Sequence, residues 1–385
     1  MRIALIRREF SATRGGAERF AVMLARGLVD RGHEVHIVAG MADPNACPGA
    51  TLHIVPFVRK PSSLKNASFQ RGVRQLIANL QCDIVHGLSQ VFPQDVYRVG
   101  EPLHLHWLIT CTPSRIVRLA LFFSLRHQVI LWLERNIFRA GNYRKIIVNS
   151  KLCRQQLVVY YNVPVKNIRL VYNGVDSSLF QPDPTDTLRA SNRLRFGLNN
   201  NDRVIAFVAN DFQRKGLLFA IETIARLYQE GYRVRLLIAG DGSRRYALRL
   251  AAASNVADAI VYAGKVSDPW SIYHAADLML LPSLYDPFAN VCLEAMACGV
   301  PVITTRCNGA SEIIEDGISG VIVDRPQNID ALVHAAARLF DAQKDLRAAM
   351  GQAAATRAQQ YTPERMVDKT LRVYEEVLRE KQNTV

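Results

Sequence analysis

What most constrains the fold is a repeat of short, almost purely apolar runs, each separated from the next by enough residues for a helix. RIALI (2–6) is followed by Phe20, Leu24 and Leu28 at i, i+4 and i+8, with Met23 beside them, then by Gly32 and the run HEVHIVAG. That order and spacing predict a β-α-β unit, in which the strands lie parallel and the crossover is right-handed. DIVHGL (83–88), KIIVNS (145–150) and IRLVYNGV (168–175) continue the pattern. VIAFVAN (204–210), VRLLIAG, AIVYAG (259–264), LMLLPS (278–283), VPVITT (300–305) and GVIVD (320–324) then repeat it. Runs without polar alternation are what strands covered on both faces look like. The expectation for 385 residues is therefore α/β, with two facing, doubly wound Rossmann-like domains. The N-terminal domain spans 1–172 and the C-terminal domain 173–362, joined through the Pro-, Asp- and Ser-rich NGVDSSLFQPDPTD. A charged helix over 363–385, with Met366, Leu371, Tyr374 and Leu378 at near-helical spacing, is expected to cross back to the N-terminal domain as a bridge that braces the two domains. Open α/β sheets bind ligands beyond the C-terminal ends of their strands, so the chemistry is sought in strand-to-helix loops lining a cleft.

Composition narrows the partners. The net charge is +14, and residues 1–180 hold 24 Lys+Arg against 10 Asp+Glu, whereas 181–385 hold 24 of each. A basic half joined to a neutral half predicts that one domain meets a polyanion: nucleic acid, an anionic membrane surface or a phosphorylated substrate. No helix-turn-helix, RNP-type or Cys/His finger pattern is present, so nucleic acid is not expected. Residues 115–139, RIVRLALFFSLRHQVILWLERNIFR, mix Arg115, Arg118 and Arg126 with Leu119, Phe122, Phe123 and Trp132. Read as one helix at 100° per residue, the three arginines fall within about 80°, as on a helix lying in a membrane interface, the alternative being a buried core helix. Pro44–Val58, the longest stretch free of Asp, Glu, Lys and Arg, is shorter than a spanning helix needs, and the apolar opening before Arg7 is shorter than a signal-peptide core. Seven cysteines without a C-x-x-C pair predict reduced thiols in a cytosolic protein, with neither disulfide nor structural zinc.

Three loops carry chemistry. After the first strand, Gly15-Gly16 open a helix, where bare backbone can approach an anion; a plain tight turn is the alternative. The pair is not a G-x-G-x-x-G fingerprint, and no G-x-x-x-x-G-K-[ST] occurs, so neither a nicotinamide dehydrogenase nor a P-loop NTPase has support. After VIAFVAN, DFQRKG puts Arg214 and Lys215 at a helix start, two cations suited to a diphosphate; a solvated charge pair is the alternative. In LPSLYDPFANVCLEAMACGVPVITT (281–305), Asp286 sits in the loop and Glu294 two turns into the following helix. Two such carboxylates can bind different hydroxyls of one extended ligand while the N–H groups of the loop at Phe288, Ala289, Asn290 and Val291 meet its phosphate; the bland reading is an Asp N-cap and a surface Glu.

These residues resemble a retaining glycosyltransferase of family 4 with the two-domain GT-B fold, and within it the lipopolysaccharide core glucosyltransferases. The likeness covers nearly the whole chain and rests on GGAER (15–19), NDFQRKG (210–216) and the D-x7-E stretch followed by AMACGVPVIT. The family's usual pair is Glu-x7-Glu, and Asp286 departs from it; Ala289-Asn290 replace a frequent Gly-Leu. The resemblance implies that Glu294 holds ribose hydroxyls, Asp286 the hexose, and Arg214 with Lys215 the pyrophosphate. DVYRVGEPLHLHWL (95–108) resembles the family's D-x-Y-R-x-G-D-G-x-H, with Glu101 in the acid position, His104 in that of the histidine and Pro102 for glycine; His106 leaves the assignment open. The implied reaction moves a hexose, glucose from UDP-glucose, onto a lipopolysaccharide core or similar anionic glycolipid at the inner leaflet. No D-x-D motif occurs, so no divalent metal and no cofactor is expected. Rival readings are an enzyme of the UDP-GlcNAc 2-epimerase type and a non-catalytic binder of sugar nucleotides or nucleic acid.

Overall fold

The computed structural model describes residues 1–383 except 12–14, 61, 113, 184, 186, 342 and 343, and the side chains of 62, 63, 344 and 345 are also outside the description. The chain divides into two compact units, Met1–Gly174 with Pro363–Val385, and Val175–Thr362. In the first unit the strands are β1 (Arg2–Ile6), β2 (Glu9–Phe10), β3 (Glu34–Ala39), β4 (Met41–Ala42), β5 (Thr51–Ile54), β6 (Ile84–Gly87), β7 (Val96–Val99), β8 (Lys145–Val148) and β9 (Ile168–Leu170). Between them lie α1 (Gly16–Val29), α2 (Ser62–Leu80), α3 (His104–Thr110), α4 (Arg115–Phe123), α5 (Leu125–Ile137) and α6 (Lys151–Tyr161). Seven strands form one sheet in the order β5-β3-β1-β6-β7-β8-β9, parallel throughout, and β2 pairs with β4 beside it. Order 3-1-6 at the centre means the chain reverses direction across the sheet next to β1, the place where a doubly wound sheet opens to ligand.

The second unit holds α7 (Thr187–Arg195), β10 (Arg203–Val208), α8 (Leu217–Gln229), β11 (Val234–Ala239), α9 (Arg244–Ala253), β12 (Ile260–Gly264), α10 (Trp270–Ala275), β13 (Leu278–Leu281), α11 (Asn290–Ala297), β14 (Val302–Thr305), β15 (Gly320–Val323), α12 (Ile329–Asp341) and α13 (Lys344–Ala358). Its sheet is six parallel strands, β12-β11-β10-β13-β14-β15. The central strands are buried on both faces, from Val204–Phe207 to Leu278–Leu281, which is why they read as unbroken apolar runs.

The last helix, α14 (Pro363–Gln382), belongs to the first unit. Its face Met366, Val367, Thr370, Val373, Tyr374 and Val377 is buried, and Val367 packs so closely on α1 that a Cβ at Gly27 would stand 2.6 Å from it. Tyr374 Oη lies 2.6 Å from Nδ1 of His86 in β6, and Glu376 pairs with Arg169 and Lys145. Two strands of the seven-stranded sheet escaped the reading of apolar runs, β7, interrupted by Arg98, and the edge strand β5, TLHI, as did the two-residue strands β2 and β4.

The segment 115–139 is corrected. It forms two helices broken at Ser124, whose extended φ −68°, ψ 126° ends α4 and starts α5, and the axes bend by 78°. Arg126 therefore does not share a face with Arg115 and Arg118. Packing decides the break: α5 buries Leu131, Leu133 and Ile137, whereas α4 buries nothing. Among the described residues no single helix is long and apolar enough to cross a membrane; only the bent pair α4 and α5 passes that test jointly.

Candidate active site

After β13 the chain loops from Pro282 to Ala289 before entering α11 at Asn290. Asp286, 5% exposed, is held in that loop by its backbone: its N–H donates to the Cys307 carbonyl at 3.0 Å and its carbonyl accepts from Gly309 N–H at 2.9 Å. Its carboxylate has three partners. Oδ2 lies 2.5 Å from both Arg214 Nη1 and Lys215 Nζ, and Oδ1 accepts the Phe288 N–H at 3.0 Å. Burial alone would raise the Asp286 carboxyl, but Lys215 and Arg214 outweigh it and hold the group below the ordinary carboxylate range. Arg214 is further fixed by Asp211 at 3.1 Å and by the Tyr285 carbonyl at 3.1 Å.

This meeting of loops depends on a glycine. Arg214 and Lys215 occupy the turn between β10 and α8, and Gly216 closes that turn at φ 81°. A Cβ there would fall 1.9 Å from the Pro282 carbonyl oxygen, so only glycine permits the backbones to approach and Leu284 N–H to reach the Arg214 carbonyl at 2.9 Å.

Glu294 lies just over one turn into α11, not two, because the helix begins at Asn290. It is 5% exposed and accepts a hydrogen bond from Tyr273 Oη at 2.9 Å. Nor is Asp286 an N-cap: the cap position is Ala289, whose N–H donates to Asn308 Oδ1 at 3.1 Å. Asn308 also accepts from Ala310 N–H at 3.1 Å and donates to Thr304 Oγ1 at 3.0 Å, bracing the loop from β14. Phe288 and Ala289 are buried, whereas Asn290 and Val291, the first helical residues, are partly exposed, at the end where helical N–H groups lack intrahelical partners. The second unit thus joins Arg214, Lys215 and Asp286 in direct contact and sets Glu294 on the helix their loop opens. Sequence reasoning missed Tyr273 and Asn308. For Asn308 there was a signal, the Asn-Gly turn pair after VPVITT; for Tyr273 there was none.

Gly15, Gly16, Glu101 and His104 belong to the first unit. Gly15 is the extended N-cap residue of α1 and Gly16 its first helical residue, and among the described residues no side chain caps this end. Arg7, just past β1, ties it to the loop after β7: Nη2 lies 2.6 Å from Glu18 in the first turn of α1 and 2.8 Å from Glu101, and Nη1 donates to the Leu88 carbonyl at 2.7 Å. Arg7 was missed in the sequence, although a buried arginine at the C-terminal end of a central strand is costly unless it serves a site. His104 turns to α5, with Nε2 2.8 Å from His127 Nδ1 and its ring stacked on those of His127 and Trp107. Burial, with His127 and Arg126 adding, pushes His104 down to about 4. His106 bonds Tyr160 Oη at 2.9 Å, and burial pushes it down to about 4 as well. Beneath them Glu134 of α5 accepts the His104 N–H at 2.5 Å, the Leu105 N–H at 3.3 Å and Tyr161 Oη at 2.5 Å, and burial raises it to about 6. Among the described residues no group of three His, Cys, Asp or Glu is placed to hold a metal ion.

Two doubly wound, parallel-sheet units of this kind have the architecture of the GT-B fold. The chain belongs to the glycosyltransferases: the model of glycosyl transferases group 1 matches residues 189–357, and that of glycosyltransferase family 4 matches residues 14–179. It is 25% identical over 347 residues to an uncharacterised glycosyltransferase of Methanocaldococcus jannaschii, covering 86% of this chain and 87% of that one. It is 26% identical to the N-acetyl-alpha-D-glucosaminyl L-malate synthase of Bacillus anthracis, over 96% of each. Among solved structures, it superposes on WaaG, a glycosyltransferase involved in lipopolysaccharide biosynthesis, with a TM-score of 0.82 at 22% identity, covering 95% of this chain and 98% of that one. The Anabaena HepE structure in complex with UDP-glucose gives a TM-score of 0.71 at 17% identity over the full length of both.

Proposed function

We propose that the chain is a retaining hexosyltransferase that moves glucose from UDP-glucose to a lipopolysaccharide core or related anionic glycolipid at the cytoplasmic face of the inner membrane. The observation that carries the reading is the buried contact of Arg214 and Lys215 with Asp286 beside the opening of α11. An entering diphosphate competes with Asp286 for the two cations, and as the bond to the sugar breaks they take up the charge growing on the leaving phosphate, the largest electrostatic contribution expected in such a site. These cations and the helix-start N–H groups do the work for which other transferases use a divalent ion. Asp286, released from part of its ion pairing, is left to accept hydrogen bonds from hexose hydroxyls, and Glu294, held by Tyr273, to accept those of the ribose. Retention follows from same-face attack, in which the leaving phosphate takes the proton of the acceptor hydroxyl. In the first unit, we assign Glu101 and His104 to the reacting end and the α1 opening at Gly15 and Gly16 to the donor.

Support for a glycolipid acceptor comes from charge and exposure. The first unit carries 29 Lys+Arg against 14 Asp+Glu, the second 19 against 20. On α4, Ile116 is 84% and Phe123 79% exposed, apolar surface that a lipid interface would cover. The test is a panel of radiolabelled nucleotide sugars with membrane glycolipid extract, scored for label in lipid. Transfer from UDP-glucose only in the presence of extract supports the reading. Donor turnover without any acceptor would point to epimerase chemistry, and binding without transfer under every acceptor would end the enzymatic reading.

A further inference from the structure

The C-terminal half of α2 reads RGVRQLIANL, which places Val73 and Ile77 four residues apart on one face and Arg74 beside them. Between this face and residues 91–93 runs a groove of about 230 Å³. Val73 and Val91, 3% and 1% exposed, form its floor; Ile77, Ala78, Phe92 and Pro93 form its walls, and Arg74 lines it while remaining exposed. Phe92 meets Trp132 of α5 edge to face, with ring centroids 5.6 Å apart, and Trp132 is 51% exposed. Leu125 of α5 and Phe123, Leu119 and Ile116 of α4 are exposed apolar residues of the same unit.

Apolar surface in an open groove gains when an apolar occupant takes it out of water. An extended polypeptide backbone would bring N–H and C=O groups that find few partners along this lining. A hydrocarbon chain brings none. The one charged side chain lining the slot is a cation, in a unit with a large positive excess, and this selects a negatively charged head group. We infer that the groove takes an acyl chain of an anionic membrane phospholipid, with Arg74 pairing with its phosphate and Trp132 at the point of entry. The inference rests on the membrane-surface reading above for the source of the lipid.

The test separates the two. Dihexanoyl-phosphatidylglycerol, kept below its critical micelle concentration, is titrated into the full chain by calorimetry, and co-sedimentation with phosphatidylglycerol vesicles is measured in parallel. Saturable one-to-one binding of the monomeric lipid is expected, weakened at least tenfold by Ala78→Phe, which fills the slot, and by Arg74→Glu, while neither exposed-site change lowers the melting temperature appreciably. Zwitterionic dihexanoyl-phosphatidylcholine should bind more weakly than the glycerol lipid, and equal binding would overturn the role given to Arg74. Vesicle binding without monomer binding would overturn the groove and leave the membrane reading standing. Monomer binding without vesicle binding would overturn the membrane reading and leave the groove as a site for anionic amphiphiles.

Discussion

At the scale of single residues, the site is a small electrostatic balance in which each partner's removal has a different signature. Lys215→Ala takes away a cation that the proposal places on the leaving diphosphate, and a loss of transfer of roughly 100- to 1000-fold is expected, by analogy with deleting one preorganised donor; Glu294→Ala should cost transfer as well, through donor affinity. Steady-state kinetics alongside thermal melting checks both, since unchanged activity in either variant would refute the assignment. Asp286→Ala is different in kind, because it leaves buried Lys215 without its carboxylate partner and Arg214 with Asp211 alone. Breaking a buried ion pair from one side costs on the order of 3–5 kcal/mol, so a large fall in melting temperature is expected, partly reversed by saturating UDP. Gly216→Ala should be as severe for a steric reason, since its Cβ would overlap the Pro282 carbonyl and part the two loops. Wild-type melting behaviour in that variant would show that the close approach of loops is dispensable.

Among the elements, α3 and α5 are coupled by titratable groups whose preferences oppose one another. Glu134 is raised to about 6 by burial. Its folded pKa exceeds the unfolded one, so its contribution is fully present below the unfolded value, near 4.3, and is lost as pH rises through about 6. His104 and His106, lowered to about 4, contribute above their unfolded value, near 6.5, and that contribution is lost as pH falls towards 4. The expected outcome for the first unit is a stability that rises with pH from about 4 to about 6.5, less steeply below about 6 where Glu134 opposes the two histidines, and is level above. In melting curves taken from pH 4 to 8, Glu134→Gln should steepen the rise below about pH 6 and His104→Gln should flatten it. If neither substitution changes the slope, these groups do not couple to folding. The helices also show where reading the sequence fell short: the mixture of arginines and large apolar residues in 115–139 was visible, but the break at Ser124 was not, because it follows from α5 having a core to pack on and α4 having none.

For the whole molecule, the charge asymmetry makes a prediction of its own. Binding to vesicles containing phosphatidylglycerol should fall steeply with added salt and with Ile116→Ser and Phe123→Ser together, while transfer to a detergent-solubilised acceptor survives. Salt-independent attachment would mean that the basic unit does not act by long-range attraction.

The amino-acid sequence determined by itself the two parallel-sheet units, because doubly covered strands must be apolar along their length and glycines must stand where loops turn back. It also exposed Arg214, Lys215, Asp286 and Glu294, since charged groups in otherwise apolar loops stand out in one dimension. Only the tertiary structure decided that Asp286 is the shared partner of the two cations, that Tyr273 holds Glu294 and Asn308 the loop, and that Arg7 joins Glu18 to Glu101. Each of these pairs residues far apart along the chain. Such contacts exist because sheet order brings strand ends side by side, and no local propensity records that order.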